Sequence, residues 1–135
     1  MNSHVIWLWV AGAVQVAIIL ANVILPAKLD VRAGMASVPR FLRQVFVVHW
    51  GYIIFVVFLF SLLCFLFPAE LAGGSALGRF LSGAMAVFWF ARLLLQLFYY
   101  DAQMRRENRG LDLAYLTGLV VLIGIFALGA TRHLA

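Results

Sequence analysis

Four apolar runs, each near the ~20 residues that an α-helix needs to cross a bilayer, decide what this chain can become. They cover residues 5–25, 45–67, 77–100 and 111–131. Polar and apolar residues do not alternate along them as they must in the strands of a membrane barrel. Lipid offers the backbone no hydrogen-bond partners, so runs of this length read as helices, which satisfy their own. The expected fold class is an all-α membrane protein: a compact antiparallel bundle of four transmembrane helices, one domain spanning residues 1–135. Composition supports this, with 66% hydrophobic and 11% charged residues. A soluble domain has about half and about a quarter. There is too little polar material here to cover a water-facing surface.

The breaks between runs are chemically distinct. Pro26 is expected to end the first, and Pro68, Glu70 and the Gly73-Gly74-Ser75 cluster the second. DAQMRRENRG separates the last two runs and closes on Gly110. Basic residues collect in two of the three connections: Lys28, Arg32, Arg40 and Arg43 in the first, and Arg105, Arg106 and Arg109 in the third. The second holds Arg79 and the C-terminal tail Arg132. Basic connections stay cytoplasmic, which predicts both termini on the outer side. The short form suggests a bacterial inner membrane, with periplasmic termini. Topology thus accounts for the net charge of +5, and no nucleic-acid partner is expected. MNSHVIWLWV lacks the basic start of a secretory signal and is expected to be a retained first helix. The lone Cys64 makes no intrachain disulfide.

Within the first connection, SVPRFLRQ offers an N-cap at Ser37 and a proline in the first turn. It is expected either to form a short interfacial helix or to be a solvated loop that sets topology. As a helix it would bring its arginines to anionic lipid headgroups. Lys28, Arg32, Arg40 and Arg43 are the candidate headgroup contacts, each contributing about 1 kcal/mol near the surface.

Helix association in lipid relies on small residues. Three runs carry them at four-residue intervals: Ala13, Ala17 and Ala21; Gly78, Ser82 and Ala86; Gly110, Ala114 and Gly118. The second run is bulky instead, with Phe55, Phe58, Phe60, Phe65 and Phe67 expected as filler or lipid contact.

Polar residues concentrate at the basic-connection end of all four runs. Asn22, His49, Tyr52, Gln96, Tyr99, Asp112 and Tyr115 lie there, with Arg92 one turn deeper than Gln96. Arg92, Gln96, Tyr99 and Gln103 share one helix face by their spacing, as do Gln15 and Asn22. A charge at mid-bilayer costs from about 3 to over 10 kcal/mol, so an arginine here needs partners or a route to the interface. If these faces turn inward, Arg92 sits among Gln15, Asn22, His49 and Tyr115, with Asp112 a counter-ion near the rim. The candidate ligand-binding set is therefore Arg92, Gln96, Tyr99, His49, Asn22, Gln15, Tyr115 and Asp112. The guanidinium fork would hold a carboxylate or phosphate of a small ligand. The competing structural reading is that Arg92 snorkels to the interface or pairs with a carbonyl.

No two of His4, His49 and His133 share a helix turn, and no metal site is expected. No cofactor is predicted, although His49 is the histidine to examine for haem or pigment ligation. Trp7, Trp9, Trp50, Tyr52, Tyr99 and Tyr100 fall near run ends, where aromatic belts form, while the deeper Trp89 reads as packing. RRENR, residues 105–109, resembles the charged segment of the four-helix microsomal glutathione transferase family, and the length and helix count are similar. The rest of that family's pattern does not surround it, and no active site is carried across. No Ser-His-Asp, HExxH, GxSxG or phosphate-loop pattern is present, so no catalytic residue is assigned. The leading expectation is a non-catalytic accessory or structural subunit whose partners are membrane lipids and other membrane subunits, or further copies of itself. The second is a ligand-binding or transport protein using the Arg92 cluster. The third is a small membrane enzyme acting on a lipid or thiol.

Overall fold

The computed structural model describes residues 3–28, 31–73, 75–99 and 102–131, with the side chains of 3, 4, 25–28, 31, 32, 102 and 104 excepted. His4, Lys28 and Arg32 as side chains, and Tyr100, Asp101, Arg132 and His133 altogether, lie outside the described residues. The described chain is helical, with no strand: α1 Ser3–Lys28, α2 Val31–Gly34, α3 Arg40–Leu66, α4 Pro68–Ala72, α5 Ala76–Phe98, α6 Ala102–Glu107 and α7 Arg109–Ala130. Four of these are long and apolar enough to cross a membrane: Val5–Ile24, Arg40–Leu66, Ala76–Phe98 and Arg109–Ala130. The protein is a small all-helical membrane protein.

Two helix boundaries differ from the sequence expectation, each for a physical reason. SVPRFLRQ forms no separate interfacial helix: Pro39 occupies the N-cap position of α3, and Arg40 begins a helix continuous to Leu66. At 27 residues α3 is about 40 Å long, more than the about 30 Å of a hydrocarbon core. Pro26, in turn, does not end α1, which runs on to Lys28. A helical proline lacks the N–H that would bond the carbonyl four residues earlier, here that of Asn22. Trp50 of α3 replaces it, its indole Nε1 donating to the Asn22 carbonyl at 3.1 Å. The neighbouring helix thus supplies what the proline removes.

Side-chain contacts show two antiparallel pairs. α1 packs chiefly on α3, and α5 chiefly on α7. In the first pair Gln15 meets Cys64 and Asn22 meets Trp50; in the second Arg79 meets Ala130 and Gln96 meets Asp112. The pairs join where α1 touches α7 and across the middle, where Trp89 reaches Gln15.

The core occupies only the half towards the termini. There α1 buries Leu8, Ala11, Gln15 and Ile18. α3 buries Val57, Ser61 and Cys64, α5 Gly78, Ser82, Met85 and Trp89, and α7 Leu119, Leu122, Ile125, Phe126 and Gly129. The short α4 closes this end with Leu71 and Ala72 buried. Gly78 makes that closure possible, because a Cβ there would sit 1.9 Å from the Glu70 carbonyl oxygen. Ser82 donates to the Leu71 carbonyl at 2.9 Å, and Arg79 Nε donates to the Ala130 carbonyl at the end of α7 at 3.0 Å. Of the small-residue faces, Gly78, Ser82 and Ala86 turn inward, whereas Ala13, Ala17, Gly110 and Ala114 are exposed. Of the bulky rings of the second run, Phe55, Phe58 and Phe67 are exposed, while Phe65, 40% exposed, lies over Gly12 of α1. Phe60 is half-buried and meets Phe88 edge-on at 5.2 Å.

Candidate functional site

The polar side chains of the basic-connection half form separate groups rather than one. The largest begins on α5, where Trp89, Arg92, Leu93 and Gln96 recur at helical spacing on its inner side. Arg92 is half-buried, with its guanidinium carbon 4.8 Å from the ring centroid of Tyr115 on α7, a cation–π geometry. Its Nη1 donates to Gln96 Oε1 at 3.1 Å, one turn along the same helix. Gln96 Nε2 donates to Asp112 Oδ1 at 2.6 Å across to α7.

Asp112 receives its ion pair from α6 rather than from α5. Arg105 Nε donates to Oδ1 at 3.0 Å and Nη2 to Oδ2 at 3.3 Å, the forked geometry of a guanidinium on a carboxylate. Arg105 Nη1 also donates to the Leu97 carbonyl at the end of α5, at 3.2 Å. The carboxylate lies in the first turn of α7, where the helix dipole favours negative charge. Arg92, Gln96, Asp112 and Arg105 therefore tie α5, α6 and α7 into one hydrogen-bonded chain. Among the candidates read from sequence, Arg92, Gln96, Asp112 and Tyr115 are brought together.

The other candidates lie elsewhere. Gln15 is fully buried at mid-depth, accepting from Trp89 Nε1 at 3.3 Å and donating to the Ala11 carbonyl at 3.2 Å and Cys64 Sγ at 3.4 Å. Asn22 donates to the Ile18 carbonyl of its own helix at 3.0 Å, while its carbonyl takes Trp50. His49 is exposed on α3, its Nδ1 2.8 Å from the Val45 carbonyl, which makes that nitrogen the donor. Tyr99 is 78% exposed at the end of α5. Arg40 and Arg43 are exposed on the first turns of α3.

Three participants were not among the candidates. From sequence Arg105 only orients the chain, Trp89 reads as packing and Cys64 as a lone thiol. The seven-residue step from Arg105 to Asp112 across a turn of opposite charges was the available signal for the first. The pairing of Gln15 with Trp89 and Cys64 depends on helix rotation and has no signal in the local sequence.

Between α1 and α7 a cleft of about 160 Å³ opens beside this network, with Ala17, Ala21, Ala114, Tyr115 and Gly118 among its walls. Small residues of the first and fourth runs thus face each other across a gap, touching at its edge where Val14 meets Gly118. Among the described residues no three His, Cys, Asp or Glu side chains gather as a metal ion would require. One buried side-chain polar atom among them lacks a partner, Ser61 Oγ on α3. Comparison with protein-family models, curated proteins and solved structures returned no match.

Proposed function

We propose that this chain is a non-catalytic accessory or structural subunit of a membrane protein assembly. In this reading its helices form a single compact antiparallel four-helix bundle in a bacterial inner membrane, with the basic connections cytoplasmic and both termini periplasmic. The observation that carries the functional part is where the interior polar groups point. Arg92, Gln96, Asp112 and Arg105 bond in sequence, Gln15 takes Trp89, and the Asn22 carbonyl takes Trp50. A reaction centre needs titratable groups converging on one open point, and these groups converge on one another. The directional bonds fix the helices at chosen rotations, which is what a scaffold presenting its outer faces to neighbours requires.

Native mass spectrometry of the gently solubilised protein tests this. A stoichiometric complex with a different membrane chain is the expected result. Recovery solely as a monomer or homo-oligomer, stable without any other chain, would overturn it.

One observation favours a second reading, ligand binding: the α1–α7 cleft, with Tyr115 in its wall beneath Arg92. Arg92→Leu separates the two. A binder loses its small molecule, whereas a scaffold, its α5–α6–α7 contact still tied by Gln96, Asp112 and Arg105, keeps its partner chain.

A further inference from the structure

Packing fastens the two helix pairs to each other at the terminal end. There α4 lies against all four spanning helices, α1, α3, α5 and α7. The fit is close: a Cβ on Gly129 of α7 would lie 3.1 Å from Ser82 Oγ of α5 and 3.6 Å from the Leu71 carbonyl oxygen of α4. Towards the basic connections this enclosure stops near the Gln15–Trp89 bond. Among the described side chains α1 buries none beyond Ile18, and α5 none beyond Trp89. Past that level each pair carries its own directional bonds. Trp50 ties α3 to the Asn22 carbonyl of α1, and Gln96 ties α5 to Asp112 of α7. Between the pairs lies the α1–α7 cleft, walled over two turns by Val14, Ala17 and Ala21 on one side and Leu111, Ala114 and Gly118 on the other. It narrows at its deep end, where a Cβ on Gly118 would lie 3.4 Å from Val14 Cγ1.

We propose that the two pairs are jaws hinged at the Gln15–Trp89 level, so that α1 with α3 swings against α5 with α7 and widens the cleft at the basic-connection end. The inference rests on the fold alone and is independent of both functional readings. Gln15 is fixed within the first jaw by its bonds to the Ala11 carbonyl and to Cys64, and Trp89 reaches it from the second. A swing about this level keeps the α4 end closed and leaves the bonds inside each jaw intact. In lipid, apolar faces gain nothing from excluding water, so small residues that face each other across a gap do little to hold the jaws shut. Parting the jaws there costs less than splitting either pair or lifting α4, both of which break close packing or directional bonds. Bodies that stay internally packed while they turn about a few retained contacts make a hinge.

Pulsed dipolar spectroscopy of the spin-labelled protein in lipid nanodiscs tests this. Labels replace exposed residues, which leaves the core untouched. Val48→Cys with Leu113→Cys spans the jaws at the basic end, and Leu66→Cys with Leu128→Cys spans them at the terminal end. Leu95→Cys with Leu113→Cys lies inside the second jaw. Cys64 is buried and should take no label, which the unsubstituted chain checks. The expected distance distribution is about twice as broad for the first couple as for the other two. Trp89→Phe removes the donor at the hinge and keeps a ring, so it should broaden the first distribution further without moving the second. Equally narrow distributions in all three couples overturn the proposal. So does a distribution inside the second jaw as broad as that across the jaws, which would mean that single helices move rather than pairs. A folded Trp89→Phe protein with the first distribution unchanged, or with both ends broadened alike, also overturns it. The comparison of the three couples stands by itself should that variant fail to fold.

Discussion

The two halves of this molecule are held together by different forces. Towards the termini, four helices and the short α4 close on Leu8, Cys64, Met85, Trp89, Leu122 and Phe126, all nearly inaccessible. Towards the basic connections, no residue of α3 before Val57 or of α7 before Leu119 is buried. Order there comes from side-chain bonds that link neighbouring helices at a few points. In lipid there is no water to drive apolar faces together, so a contact must offer either close packing or a directional bond. The first half uses packing and the second uses bonds. The difference predicts which substitutions matter at each end.

The largest effect is expected at Gly78. A side chain there must displace the Glu70 carbonyl, so Gly78→Leu should expel α4 from its seat and destabilise by about 3 kcal/mol or more. The matching change in the other half, Gly110→Leu, enters open space and should leave stability within about 0.5 kcal/mol. Reversible unfolding in mixed micelles compares the two. Equal losses would mean that the halves are packed alike, and the contrast would fail.

Asp112→Asn tests the bonded half. It removes the charge that Arg105 grips with two nitrogens, where the side-chain exposures are 21% for Arg105 and 10% for Asp112. Exposed pairs contribute up to about 1 kcal/mol, and breaking fully buried ones costs about 3–5, so about 2 kcal/mol is expected here. The loss should be local. Hydrogen exchange should quicken in α6 and the first turns of α7 and stay unchanged around Phe126. Faster exchange throughout would show that the halves unfold as one unit.

This division explains which features were legible in the sequence. The four spans could be read because length and hydropathy alone decide whether a helix can cross a membrane. That Arg92 and Gln96 share a face followed from their spacing once α5 was a helix; which way that face turns did not. Helix rotation was another matter: Ala13, Ala17 and Ala21 share a face, yet α1 buries Leu8, Ala11, Gln15 and Ile18 instead. Any of several faces of an almost wholly apolar helix can pack, and only the neighbours choose. The same holds for Gln15, whose partners Trp89 and Cys64 lie on two other helices. Arg105 reads as topology because residues in charged connections serve that first, and its ion pair exists only through the angle between α6 and α7.

Pro26 is the sharpest instance, and it yields the smallest but most diagnostic effect. By local rules it ends a helix; here α1 continues because Trp50 donates to the carbonyl that the proline orphans. Trp50→Phe keeps the ring and removes the donor, leaving the Asn22 carbonyl unpaired in a partly buried position. A loss of about 1 kcal/mol is expected. Pro26→Ala restores the backbone N–H to that same carbonyl, so the double variant should recover most of the loss. The coupling is the prediction, since the need for the indole donor arises from the backbone N–H that a proline at position 26 lacks. An unfolding cycle over the four proteins measures it. Additive effects would mean that Trp50 acts through ring contact alone, and that the continuation of α1 past its proline has another cause.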